Sequence, residues 1–113
     1  MKTLYLDTFS GISGDMLLGL LVDLGVSLDA LLDELNRLPV SGYQVTATPE
    51  QRHGIGGTRV KVSCSAPQPH RRWTDIDRML AESDLKQGTR ELARRTFRLL
   101  GDAEASVHKV SID

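Results

Sequence analysis

The amino-acid sequence predicts an α+β fold, with an α/β fold as the alternative. The expected order is β-α-α-β-β-α-α, with a small mixed sheet carrying helices on at least one face. Apolar residues recur at helical spacing in two separate regions, Met16 to Leu38 and Ile76 to Val107. Between them, two stretches alternate apolar and polar residues as half-buried strands do. Ahead of the first helical region, a short apolar run feeds a loop rich in glycine and serine.

That run, Thr3 to Asp7, reads as the first strand. The loop Thr8 to Gly14 follows, and Ser13 is placed to cap a helix with Asp15 in its first turn. From Met16 to Leu24 the apolar residues run almost unbroken, which predicts a helix covered on most sides. Gly25 is its expected C-cap. Ser27 caps the next helix, where Leu28, Leu31, Leu32, Leu35 and Leu38 share one face, and Pro39 stops it.

Tyr43 to Thr48 alternates, and Pro49 predicts that this strand ends there or lies at an edge. Thr58 to Cys64 alternates as well, with Val60, Val62 and Cys64 on one face. The Gly-rich stretch from Gln51 to Gly57 is the expected connection, and the two strands form an antiparallel pair. Ala66 to Arg72 is a polar linker with two prolines, Pro67 and Pro69. Thr74-Asp75-Ile76-Asp77 resembles a capping box, with Ile76, Met79 and Leu80 as a short apolar face. Glu91 to Lys109 reads as one long helix. Its expected buried face is Leu92, Thr96, Leu99, Ala103 and Val107, with Leu100 beside them. Arg90, Arg94, Arg95 and Arg98 crowd the other side, as a solvated face or as a surface for an anionic partner.

With 113 residues the chain suits a single domain, 1–113, and its ending just past a long helix reads as the N-terminal fragment of a longer chain. The formal net charge of -1 argues against a general DNA or RNA binder. Residues 1–50 carry an acidic excess and 51–113 a basic one. Cys64 is the single cysteine, so no disulfide forms within the chain, and a reducing cytoplasm fits. Its place on the apolar phase of a strand predicts a buried small hydrophobe. The early charge at Asp7 does not suit a signal peptide, and Met16 to Leu24 is too short to span a membrane.

The chemistry concentrates in the stretch Asp7 to Met16. A Gly/Ser loop entering a helix presents free backbone N–H groups and a positive helix end, which suits a phosphate or carboxylate. Ser10, Gly11, Ser13 and Gly14 are the candidate anion-binding residues, and Asp7 and Asp15 could hold a cation. The same residues also make a tight strand-to-helix turn with ordinary caps. The loop lacks the lysine of a P-loop and is not a dinucleotide fingerprint. A second stretch, Arg52 to Arg59, sets Arg52 and Arg59 around His53 and three glycines. Arginine suits a bidentate grip on an oxyanion, and the alternative is a hairpin with solvated charges. His53, His70 and His108 show no zinc-site spacing; His70, beside Arg71 and Arg72 in the linker, is the candidate metal ligand among them.

Taken together, Asp7-Thr8-Phe9-Ser10-Gly11-Ile12-Ser13-Gly14-Asp15-Met16 and Arg52-His53-Gly54-Ile55-Gly56-Gly57-Thr58-Arg59-Val60 resemble the N-terminal part of the LarC family of nickel-insertion proteins. Ala105-Ser106-Val107-His108 resembles the end of that family's second linker-following helix, so the likeness runs through essentially the whole chain. The resemblance implies a cytoplasmic lyase, a nickel chelatase. Such an enzyme inserts nickel into pyridinium-3,5-bisthiocarboxylic acid mononucleotide to form the nickel pincer cofactor of lactate racemase-type enzymes. It also implies consumption of CTP with a divalent cation (Mg or Mn) and a homo-oligomer. Asp15 would be the catalytic residue, with the fragment alone inactive. The family's linker is commonly rich in histidine; here it offers only His70. The alternative is a non-catalytic module that binds an anion or nucleotide, or assembles subunits.

Overall fold

The computed structural model describes residues 1–112. Its elements are α1 (Gly14–Asp23), α2 (Leu28–Leu35), β1 (Tyr43–Arg52), β2 (Ile55–Cys64), α3 (Trp73–Ala81) and α4 (Gln87–His108). This is an α+β fold in the order α-α-β-β-α-α. The expected first strand does not form: Thr3 to Asp7 is exposed and without a ladder partner among the described residues. A strand needs a neighbour for its N–H and C=O groups, and among the described residues the sheet consists of β1 and β2. The sheet is accordingly antiparallel rather than mixed.

The hairpin is longer than its alternation suggested. Strand pairing runs from Tyr43↔Cys64 to Arg52↔Ile55, so the connection shrinks to His53 and Gly54. Both take positive φ, 50° and 80°. Positive φ at both central residues marks the tight turn whose twist matches the flanking strands. Pro49 lies within β1 opposite Thr58. A two-stranded sheet has only edge strands, so the missing N–H can face outward.

Helix α1 ends as expected. Gly25 has φ 105°, its N–H donates to the Val22 carbonyl, and Val26 N–H donates to the Leu21 carbonyl. These are the paired bonds of a Schellman cap. Ser27 caps α2 by accepting from Ala30 N–H at 3.3 Å. In α3 the cap falls earlier than predicted: Arg72 is the N-cap residue, and the Asp75 carboxylate accepts from Arg72 N–H at 2.9 Å. That bond holds the Asp75 carboxyl below its usual range. Asp77, expected in the box, turns instead to α4, where Arg94 donates to its two oxygens at 2.8 and 3.0 Å.

The buried interior is small and lies in two places. Val60 on β2 and Gly19 on α1 are buried together, with α1 packed along β2. Leu80, Ser83 and Leu85 are buried around the α3–α4 connection. Ser83 is satisfied there, its hydroxyl donating to the Leu80 carbonyl at 2.7 Å. The α3–α4 connection is tied to α2 and the residues after it by Asp84 N–H donating to the Arg37 carbonyl and by Lys86 beside Glu34.

Three burial expectations fail. Helix α1 is covered only around Gly19; Met16 and Leu17 are exposed. Cys64 is exposed, because coverage of the β2 face stops at Val60. The anticipated buried face of α4 points outward: Leu92, Leu99 and Val107 are 59%, 68% and 75% exposed. Helix α4 packs on α3 through the opposite side, where Gly101 meets Trp73. A glycine allows the helices to approach where leucine would hold them apart.

Candidate functional site

The N-terminal end of α1 and the turn end of the hairpin meet in a cleft of about 330 Å³. Ser13, Asp15 and Met16 line one wall; Glu50, Arg52, Thr58, Arg59 and Val60 line the other. The two sequence stretches singled out above thus converge through tertiary packing. Two features of the sequence bring them together. Gly19 removes the side chain that would strike β2: a Cβ there would lie 2.7 Å from the Thr58 carbonyl oxygen. Thr58 also donates its hydroxyl to Asp23 at 2.9 Å, which pins the end of α1 to the same strand.

Hairpin register assembles the charged wall. Glu50 lies opposite Gly57, Arg52 opposite Ile55, and Arg59 opposite Thr48. Residues directly opposite share a face, and so do residues two apart, so Glu50, Arg52 and Arg59 stand on one face. Gly57 has no side chain to block the diagonal. Glu50 accepts from Arg52 Nε at 3.1 Å, and Arg59 Nη1 lies 3.5 Å from its other oxygen. One carboxylate therefore sits between two guanidinium groups.

Ser13 does not cap α1 through its side chain. Its hydroxyl donates to Asp15 Oδ1 instead, and Met16 N–H donates to the same oxygen at 3.0 Å. The Ser13 hydrogen bond is the main influence holding the Asp15 carboxyl below its ordinary range, and the positive charge of Arg59 acts in the same direction. Asp15 is ionised at neutral pH, at the positive end of a helix.

Other candidates lie elsewhere. Ser10 and Gly11 lie in a reverse turn over Thr8 to Gly11, with Gly11 N–H donating to the Thr8 carbonyl at 3.0 Å and Gly11 at φ 79°. Neither lines the cleft, nor does Gly14, the first residue of α1. Asp7 and His70 are exposed and outside it too. Among the described residues, no group of three or more His, Cys, Asp or Glu side chains is placed to hold a metal ion. The arginines of α4 are mostly engaged: Arg94 by Asp77, Arg98 by Asp102 and over the Trp73 ring at 5.0 Å, and Arg90 by the Ser83 carbonyl. Glu50 is the charged group that sequence reading missed. Its signal was present, since it lies two residues before Arg52 in a period-2 segment, but Pro49 suggested that the strand had already ended.

Comparison with known proteins decides the family. A family model described as "Nickel insertion protein" matches residues 4–113. The chain belongs to the nickel insertion protein family. Relatives named "Putative nickel insertion protein" align along the whole chain. That of Syntrophotalea carbinolica is 51% identical over 113 residues, covering 100% of this chain and 29% of the relative. That of Geobacter sp. strain M21 is 46% identical over 114 residues, covering 100% of this chain and 30% of the relative. That of Dictyoglomus thermophilum is 40% identical over 113 residues, covering 100% and 29%. The chain thus spans 29% of the length of the first of these family members. No solved structure matches it. Among the described residues, no helix is long and apolar enough to cross a membrane.

Proposed function

We propose that this chain is the anion-holding N-terminal domain of a nickel chelatase, with the cleft between α1 and the hairpin as its substrate-phosphate site. The observation that carries this reading is the convergence of Ser13 and Asp15 with Arg52 and Arg59 on one cleft. Membership of the nickel insertion family supports nickel as the cargo. The finer reading follows the LarC resemblance of the two motifs. The substrate is pyridinium-3,5-bisthiocarboxylic acid mononucleotide, and the product is the nickel pincer cofactor of lactate racemase-type enzymes. CTP and a divalent cation are consumed or used by the full-length protein, a cytoplasmic homo-oligomer of the lyase class.

Metal insertion needs a substrate held still while its donor atoms exchange protons and water for the metal. In this reading Arg52 and Arg59 grip the mononucleotide phosphate by charge-assisted hydrogen bonds. The backbone N–H groups at the start of α1 add partial positive charge. Asp15, whose carboxylate accepts from Ser13, adds a negative charge that acts on Arg59 across the cleft. Asp15 and Glu50 are the carboxylates lining the cleft. With no group of three ligands among the described residues, nickel ligation is assigned to other parts of the full-length protein.

The test is Asp15→Ala in the full-length protein. Cofactor maturation is expected to be lost while circular dichroism and the melting temperature stay close to wild type. Wild-type turnover by that variant would overturn the assignment.

A further inference from the structure

We propose that Glu50 is a resident counter-ion of the Arg52–Arg59 clamp that an anionic ligand competes with, which favours dianionic phosphate monoesters over monoanions. This rests on the reading of the cleft as an anion site. The structure already shows the clamp holding an oxyanion: the Glu50 carboxylate lies 3.1 Å from Arg52 Nε and 3.5 Å from Arg59 Nη1. The two guanidinium groups are therefore spaced for one small planar or tetrahedral anion.

The charges of the cleft balance. Arg52 and Arg59 are positive; Glu50 and Asp15 are negative. A ligand with a single negative charge, such as a carboxylate or a phosphodiester, would replace one monoanion with another and gain little. A phosphate monoester carries about −1.5 to −2 charges at pH 7 and three acceptor oxygens. It meets both guanidinium forks at once and gains more than Glu50 loses. Displacement is sterically open. The Glu50 side chain is 33% exposed, and its cross-strand neighbour Gly57 has nothing within 4 Å of where a Cβ would stand. Exposed ion pairs are weak, so Glu50 raises the threshold for binding without closing the site.

The experiment titrates the wild-type chain, Glu50→Gln and the double variant Arg52→Ala/Arg59→Ala at fixed ionic strength. The probes are phenyl phosphate, dimethyl phosphate and acetate, read by calorimetry and amide chemical shifts. Wild type is expected to bind the monoester more tightly than acetate or the diester. Glu50→Gln should bind it roughly three- to tenfold more tightly and admit acetate and the diester measurably. The double variant should bind none of them. If Glu50→Gln binds the monoester no more tightly than wild type, or wild type holds acetate as well as the monoester, the counter-ion role is overturned while the anion site stands. If no probe binds wild type or Glu50→Gln, or binding survives loss of both arginines, the reading of the cleft fails as well.

Discussion

Gly19 and Gly101 each let a helix approach its neighbour, but they face different materials. A Cβ on Gly19 would lie 2.7 Å from the Thr58 carbonyl oxygen and 3.6 Å from the Val60 nitrogen, both backbone atoms of β2. A Cβ on Gly101 would lie 2.9 Å from Trp73 Cδ1 and 3.0 Å from two Ile112 carbons, all side-chain atoms. Backbone in a ladder cannot retreat without shearing its hydrogen bonds, whereas a ring or a methyl group can rotate. The α1–hairpin half is thus closed by a rigid contact, and the α3–α4 half by a yielding one. The cleft lies on the rigid side. A site that must hold an anion between groups from two elements needs that stiffness.

The sharpest break of this contrast is Gly19→Ala. Helix propensity alone would favour alanine by about 1 kcal/mol. Overpacking against backbone costs about 1–3 kcal/mol and also pushes α1 off β2. The expected result is net destabilisation by up to about 2 kcal/mol in urea denaturation, with weakened phenyl phosphate binding. Gly101→Ala gains the same propensity against softer neighbours. It should stay within about 1 kcal/mol of wild type and leave ligand binding unchanged. If the two variants lose equal stability, the distinction between rigid and yielding closure is wrong.

Sequence reading reached most of the fold because the local signals were strong. Gly25 and Ser27 punctuate α1 and α2 as their chemistry requires, although α2 ends at Leu35 with Asn36 as its C-cap and not at Pro39, and the alternation of Tyr43 to Thr48 and Thr58 to Cys64 marks the hairpin. What it missed was set by tertiary contact. Thr3 to Asp7 has strand composition, but no ladder partner stands beside it. Helix α4 has two candidate faces: one rich in leucine, the other centred on Gly101. Periodicity favours the first, yet close approach to Trp73 selects the second. In the cleft, Asp15 and Arg59 were legible as separate motifs. Their meeting was not, because Gly19 carries no hydrophobic signal of the contact it permits. Glu50 was hidden by Pro49, which an edge strand tolerates.

Acid separates the halves on a smaller scale. The Asp77 carboxyl is held below 3.8 by the hydrogen bonds and charge of Arg94. A carboxyl depressed in the folded state contributes stability at pH above its unfolded value, and that contribution is lost as pH falls through the folded one. Asp77→Asn should therefore begin to lose its stability deficit relative to wild type as pH falls below about 3.8, with melting temperatures converging once pH has passed through the lower folded value. Ser13→Ala acts in the other half, on the cleft itself. Removing the main hydrogen bond to Asp15 should move its carboxyl titration, followed by NMR, up toward 3.8. An unmoved Asp15 would mean that Ser13 does not hold this carboxylate, and that the backbone hydrogen bonds at the helix start do.

The smallest effect is expected at the hairpin tip, where the rigid half stores local strain. His53 has φ 50° and is followed by Gly54 at φ 80°. Glycine adopts this region freely, and a side chain with a tetrahedral Cβ does so at a cost of about 1–2 kcal/mol. Asparagine relieves part of that cost because its short amide can bond to the local backbone, which is why Asn-Gly is favoured in this turn. His53→Asn should stabilise the chain by about 0.5 kcal/mol in urea denaturation. It should also leave the Arg52↔Ile55 pairing and the Glu50 ion pairs in place. Destabilisation instead would show that the imidazole makes contacts worth more than the strain it carries. The turn would then be held by its histidine side chain rather than by backbone preference.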